Sequence, residues 1–133
     1  MPVFVDNARI PFVRKDLGLY QPTYRMNHMW ADSLAELLAM ADRIGVQRKW
    51  LQRPRGTLDA NGKPLQGMDA SWVHFDITAS KRTLAVKHGA IETDMFGPAE
   101  HCARLEGNTF KLKQIEEARA RRAPPQGKLA LEG

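Results

Sequence analysis

Asp6, His28, Asp32, His74 and Asp76 are the side chains of this sequence whose types and spacing suit acid–base or ligand chemistry. Asp6 closes the apolar run Val3-Phe4-Val5, and Asp76 falls near the end of Trp72-Val73-His74-Phe75-Asp76-Ile77. Ligands of open α/β sheets bind outside the carboxyl ends of strands, so parallel strands at these two runs would turn both carboxylates toward one crevice. His74, two residues before Asp76, shares its strand face. His28 and Asp32 stand just ahead of a helix start. Neutral imidazole with carboxylates suits a divalent cation, which gives phosphodiester hydrolysis its Lewis acid and activated water. The candidate metal set is therefore Asp6, His28, His74 and Asp76, with magnesium or manganese as the ion. Asp6, His74 and Asp76 are the candidate catalytic residues.

Local structure offers an alternative. Asp32 competes with Ser33 to cap one helix, Asp76 shares the capping of another with Thr78, and both histidines find nearby hydrogen bonds. Convergence decides between the two, because ligand atoms more than about 10 Å apart cannot share one ion.

A second constellation opens the helix after Asp76. Thr78, Ser80, Lys81 and Arg82 surround free backbone amides that favour an anion, so a nucleic-acid or nucleotide phosphate is expected there. The segment has none of the glycines of a phosphate-binding loop, and a solvated basic helix face is the competing account. Trp30, Trp50 and Trp72 are expected in the core rather than as base-stacking platforms. Cys102 follows His101 directly, a spacing that does not face the two on a helix, and is expected to be a small buried hydrophobe.

The elements that must position these groups are legible in part. Val3-Phe4-Val5 is a first strand, and residues 7–27, broken by Pro11, Gly18 and Pro22, are expected to form a loop. Ser33 and Glu36 make a capping box ahead of Leu34, Leu37, Leu38, Ala41 and Ile44, and Gly45 sits where a left-handed cap is wanted. Residues 46–52 are read as a second strand. Residues 53–67 form a loop or hairpin in which Asn61-Gly62 suits a type I′ turn. Residues 72–77 alternate, with Val73, Phe75 and Ile77 on one face and Trp72, His74 and Asp76 on the other. Thr78 caps a helix running to about His88, Gly89 ends it, and residues 90–92 are a strand. A short helix over 98–105 and a polar helix over 109–122 follow. Strands alternating with helices predict an α/β fold, a small, mainly parallel sheet of three or four strands flanked by helices. The domain expected over residues 1–105 is followed by a basic helical tail over 106–133 whose end, past Pro124-Pro125, is disordered.

With 43% hydrophobic and 26% charged residues among 133, the composition is that of one globular domain. Its apolar runs are far shorter than the roughly 20 residues of a membrane span. The N-terminus lacks the basic and apolar regions of a secretory signal, and a single cysteine fits a reducing cytoplasm. A formal charge of +5 and a pI near 9.7 favour DNA or RNA as partners. Lys111, Lys113, Arg119, Arg121, Arg122 and Lys128 concentrate that charge near the C-terminus.

Val3-Phe4-Val5-Asp6-Asn7-Ala8-Arg9-Ile10-Pro11, His28-Met29-Trp30-Ala31-Asp32 with Met40-Ala41-Asp42-Arg43-Ile44-Gly45, and His74-Phe75-Asp76-Ile77 with Ser80-Lys81-Arg82 and Gly89-Ala90 together resemble the domain of unknown function family 4031. The resemblance runs over about residues 3–92, with longer stretches here between Pro11 and His28 and between Arg53 and Trp72. It implies a compact domain of bacterial or phage origin and carries no activity with it. Three functions are thus open: a nucleic-acid-associated, metal-dependent phosphodiesterase; a non-enzymatic phage accessory protein binding a host protein, for example a defence component, through loops 11–27 and 53–71; and a nucleotide-binding domain.

Overall fold

One long central strand organises the N-terminal unit. In the computed structural model, which describes residues 2–12 and 24–122, β3 (Tyr24–Ala31) pairs along one edge with β1 (Val3–Val5) and then β2 (Ile10–Phe12), laid end to end and both antiparallel to it. Along its other edge runs β6 (Phe75–Thr78), also antiparallel. β7 (Ile91–Glu92) adds to the free edge of β1 in parallel. A separate two-stranded parallel sheet joins β4 (Gln52–Arg53) to β5 (Met68–Asp69).

The main sheet is therefore mixed, not mainly parallel. Residues 24–27, expected in a loop, begin its central strand. β3 carries Met29 and Asn27 on one face and His28 and Trp30 on the other, so apolar residues occur on both sides and no two-residue hydrophobic period marks it as a strand. β2 likewise lies inside the expected loop and tolerates Pro11, as short or edge strands do. Residues 13–23 of that stretch lie outside the described residues.

β1, β3 and β6 turn Val3, Val5, Met29, Phe75 and Ile77 toward α1 (Leu34–Ile44) and α2 (Ala79–Lys87), whose Leu37, Met40, Ala41, Ile44 and Ala85 complete the core. Each large buried side chain contributes about 1.5–3 kcal/mol. The capped helix forms as its sequence predicts: Ser33 Oγ accepts from the Glu36 N–H at 3.2 Å, and Gly45 at φ 81° donates to the Ala41 and Asp42 carbonyls. Thr78 caps α2 by accepting from the Lys81 N–H.

The expected second strand over 46–52 is instead a single 3₁₀ turn, Arg48–Trp50, before the two residues of β4. Arg48 leaves the strand path to form a fork with the Asp42 carboxylate (2.8 and 3.1 Å), and Trp50 is 51% exposed. The 59–63 turn is not type I′. Gly62 has φ 78° but Asn61 does not have positive φ; the Asp59 carboxylate accepts from both the Asn61 and Lys63 N–H groups and sets a different turn.

Among the described residues a second compact unit begins at Phe96 and holds α3 (Gly97–Glu106) and α4 (Thr109–Arg122). α4 spans the predicted 109–122. Within this unit Glu100 accepts from Arg119 at 2.9 Å and pairs with Arg104 at 3.1 Å. Cys102 is half-buried rather than buried, and desolvation raises its thiol pKa. The basic tail beyond Arg122, with Lys128 and Pro124-Pro125, lies outside the described residues. Among the described residues no helix is long and apolar enough to cross a membrane.

Candidate metal centre

Strand register, not chain proximity, assembles the site. Phe4 pairs with Trp30 and Val5 with Met29, so the next residue, Asp6, falls opposite His28, whose carbonyl accepts the Asp6 N–H at 3.1 Å. Across the other edge of β3, His28 pairs with Asp76. Asp6, His28 and Asp76 thus form one cross-strand row on the face opposite the helices. His74, two residues before Asp76, joins that face, and Phe4, Trp30 and Trp72 extend it in successive ring contacts.

The chain leaves the ladder after Asp6 and rejoins it at Ile10. Arg9, the sole described non-glycine residue with positive φ (54°), sits in this excursion and donates its N–H to the buried Asn27 side chain at 3.1 Å. The departure frees the Asp6 carboxylate from the strand edge. Oδ1 accepts the N–H groups of His28 (2.8 Å) and Ala8 (3.3 Å), and Oδ2 meets His28 Nδ1 at 2.7 Å. Asp6 is 0% exposed. Because a carboxylate only accepts, His28 carries its proton on Nδ1 and turns Nε2 outward.

The second imidazole is fixed in the same sense. His74 Nδ1 donates to the Trp72 carbonyl at 3.1 Å, and the Trp72 ring stacks on it with centroids 4.1 Å apart. Its Nε2 lies 3.5 Å from Asp76 Oδ1, and His28 Nε2 lies 3.8 Å from the same oxygen. One ligand atom each from His28, His74 and Asp76 falls within 4.8 Å of the others. Bonds near 2.1 Å at a tetrahedral angle separate ligand atoms by about 3.4 Å, so small side-chain movements would seat an ion.

Charge follows this arrangement. Burial opposes the charged form of His28, but the hydrogen bond to Asp6 and the charges of Asp6 and Asp76 outweigh it and hold its pKa above the usual imidazole value. Burial likewise pushes the Asp76 pKa up, and hydrogen bonds from His74 and Gln52 with the charges of both histidines more than reverse it, leaving the carboxyl below its usual range.

Of the sequence candidates, His28, His74 and Asp76 converge. Asp6 sits behind His28, with both oxygens engaged. Asp32 is exposed at the start of α1, where Ser33 supplies the cap. Thr78 rather than Asp76 caps α2. The basic constellation is engaged internally: Thr78 Oγ1 bonds Ser80 Oγ at 3.1 Å, Lys81 Nζ donates to the Ile44 carbonyl at 2.9 Å, and Arg82 Nε donates to the Asp6 carbonyl at 2.7 Å while pairing with Glu92. Lys81 thus closes the C-terminus of α1, and Arg82 braces the strand end that carries Asp6. Trp30 is 2% exposed, whereas Trp72 is half-buried beside the histidines.

Gln52 is the contributor that sequence reasoning missed. Its Nε2 donates to Asp76 Oδ2 at 2.6 Å, and its backbone exchanges both hydrogen bonds with His74 (2.8 and 2.9 Å). Local pattern gives no warning of it, because the isolated bridge that places it joins β4 to the residue just before β6, far along the chain.

The chain matches the model of a family described as protein of unknown function (DUF4031) over residues 3–105, and it belongs to that family. The match reaches past residue 92 into α3 and includes both stretches that looked longer than the family pattern. No curated protein and no solved structure matches the chain.

Proposed function

We propose that this protein is a metal-dependent hydrolase of phosphodiesters, with one transition-metal ion held by His28 Nε2, His74 Nε2 and an oxygen of Asp76. The observation that carries the reading is the convergence of these ligand atoms within 4.8 Å while both Nδ1 positions are already committed to acceptors. Two nitrogens and one oxygen suit zinc, manganese or iron(II), whereas magnesium takes oxygen almost throughout, so manganese is kept from the sequence expectation and magnesium is set aside.

Bound there, the ion would supply Lewis acidity and lower the pKa of a coordinated water. Asp6 orients His28, the Trp72 carbonyl orients His74, and Gln52 holds the far oxygen of Asp76. Such outer partners fix ring orientation and raise ligand basicity. The phosphodiester as substrate class is supported by the +5 charge of the chain. DNA and RNA are both within that class.

Calorimetric titration with zinc and manganese, on wild type and His74→Ala, tests the centre, and hydrolysis of bis(p-nitrophenyl) phosphate and of a single-stranded oligonucleotide tests the chemistry. Stoichiometric binding by wild type, lost with His74→Ala, together with metal-dependent hydrolysis, is expected. Absence of metal binding by the wild type would remove the reading. Binding without hydrolysis of either substrate would leave a metal site and remove the phosphodiesterase assignment.

A further inference from the structure

Asp76 offers its two oxygens to different partners. Oδ1 faces both imidazole Nε2 atoms, at 3.5 and 3.8 Å, while Oδ2 accepts a 2.6 Å hydrogen bond from Gln52 Nε2. A carboxylate beside a divalent ion can bind through one oxygen or chelate through both. The difference decides how many positions stay open for water and substrate. We infer that Gln52 is a positioning residue that holds Asp76 to one-oxygen ligation, keeping the metal's remaining positions exchangeable; this rests on the metal reading above.

The placement of Gln52 is built into the fold in three ways. Its backbone is tied to His74 by the reciprocal pair of hydrogen bonds, so amide donor and metal ligand move together. Leu51, immediately before it, is 0% exposed and anchors the strand in the core. The chain entering β5 then presses against this segment so closely that a Cβ at Gly67, the residue before β5, would lie 2.5 Å from the Leu51 carbonyl oxygen, and Gly67 itself has φ 150°. An amide is also the right group for the task. Its NH₂ donates to the carboxylate, whereas a carboxylate at this position would repel Asp76 or become a fourth ligand.

Manganese(II) reports the outcome directly, because its fast-exchanging waters enhance the relaxation of solvent protons in proportion to their number. In a six-coordinate site, three protein ligands leave about three positions for water, and chelation by Asp76 would leave about two. Wild type, Gln52→Met, which keeps length and loses the donor, and Gln52→Ala are titrated with manganese(II), following affinity by calorimetry and hydration by water-proton relaxation, with thermal melts alongside. The expected result is binding within about threefold of wild type for both variants, because the second oxygen gained on chelation offsets the lost outer hydrogen bond, with relaxation enhancement per bound ion reduced by roughly a third. Enhancement equal to wild type in a folded variant that binds manganese would overturn the role of Gln52 and leave the metal centre standing. Loss of binding in both folded variants would also overturn it, since it would make Gln52 essential to ligation itself. Wild type that binds zinc but not manganese would overturn the role of Gln52, which needs a centre with exchangeable positions, and leave a metal site; failure to bind either ion would remove the underlying metal reading as well.

Discussion

Asp6→Asn removes one charge and keeps the shape, and the surrounding donors determine how the rest must respond. Oδ1 of Asp6 receives two backbone N–H groups and Oδ2 receives His28 Nδ1–H. Backbone amides cannot change character, so the asparagine oxygen stays with them and its NH₂ faces His28. Nδ1 must then accept, and the imidazole proton moves to Nε2, the nitrogen directed at Asp76 and the proposed ion. A hydrogen bond to a charged group, worth about 1.5–3 kcal/mol, becomes a neutral one worth about 1 kcal/mol, so a stability loss of about 1–2 kcal/mol is expected. Metal affinity should fall by about 10- to 100-fold, as it does when a ligand loses its outer partner.

Stability also acquires a different pH profile. The folded pKa of His28 lies above 6.5, so its contribution is complete below pH 6.5 and fades as pH rises through the folded value. In Asp6→Asn that slope should flatten. Two-dimensional NMR of the imidazole nitrogens reads the tautomer, calorimetry the affinity, and melts between pH 5 and 9 the slope. A variant that keeps the proton on Nδ1 and binds metal as wild type does would refute the reasoning.

Other outcomes follow from single contacts. Asp76→Asn should abolish metal binding while costing less than about 2 kcal/mol, because Thr78 caps α2; calorimetry paired with melts reads both. Metal affinity of the wild type should rise with pH through the raised pKa of His28, since a proton competes for Nε2, and titrations at pH 6, 7 and 8 would show it. Arg82→Ala should lower the melting temperature and weaken metal binding together, because Arg82 joins α2 to the Asp6 carbonyl and to Glu92; weaker oligonucleotide binding at unchanged stability would instead make it a phosphate contact. Gly45→Val should destabilise by about 1 kcal/mol or more, as a β-branched side chain resists φ 81° and would crowd Lys81 Nζ, and an unchanged melt would contradict the cap.

What the sequence determined by itself lies within a few residues' reach. Ser33, Glu36 and Gly45 bound α1 because caps are contacts across a single turn, and the limits of α4 were readable for the same reason. Alternation alone placed His74 and Asp76 on one face. Tertiary structure decided the rest. A period of two says that a segment is a strand but not which neighbour it pairs with or in which direction, so the antiparallel pairings of β3 with β1, β2 and β6 could not be read. That pairing sets Asp6 behind His28 instead of beside it as a ligand. The bridge between Gln52 and His74 brings Gln52 to Asp76 from a segment that carried no site signal, and packing commits Lys81 and Arg82 to carbonyls of other elements where composition pointed to a phosphate. Residue type fixed what each group can donate or accept. Strand register, a long-range property that no local pattern encodes, fixed which of them meet.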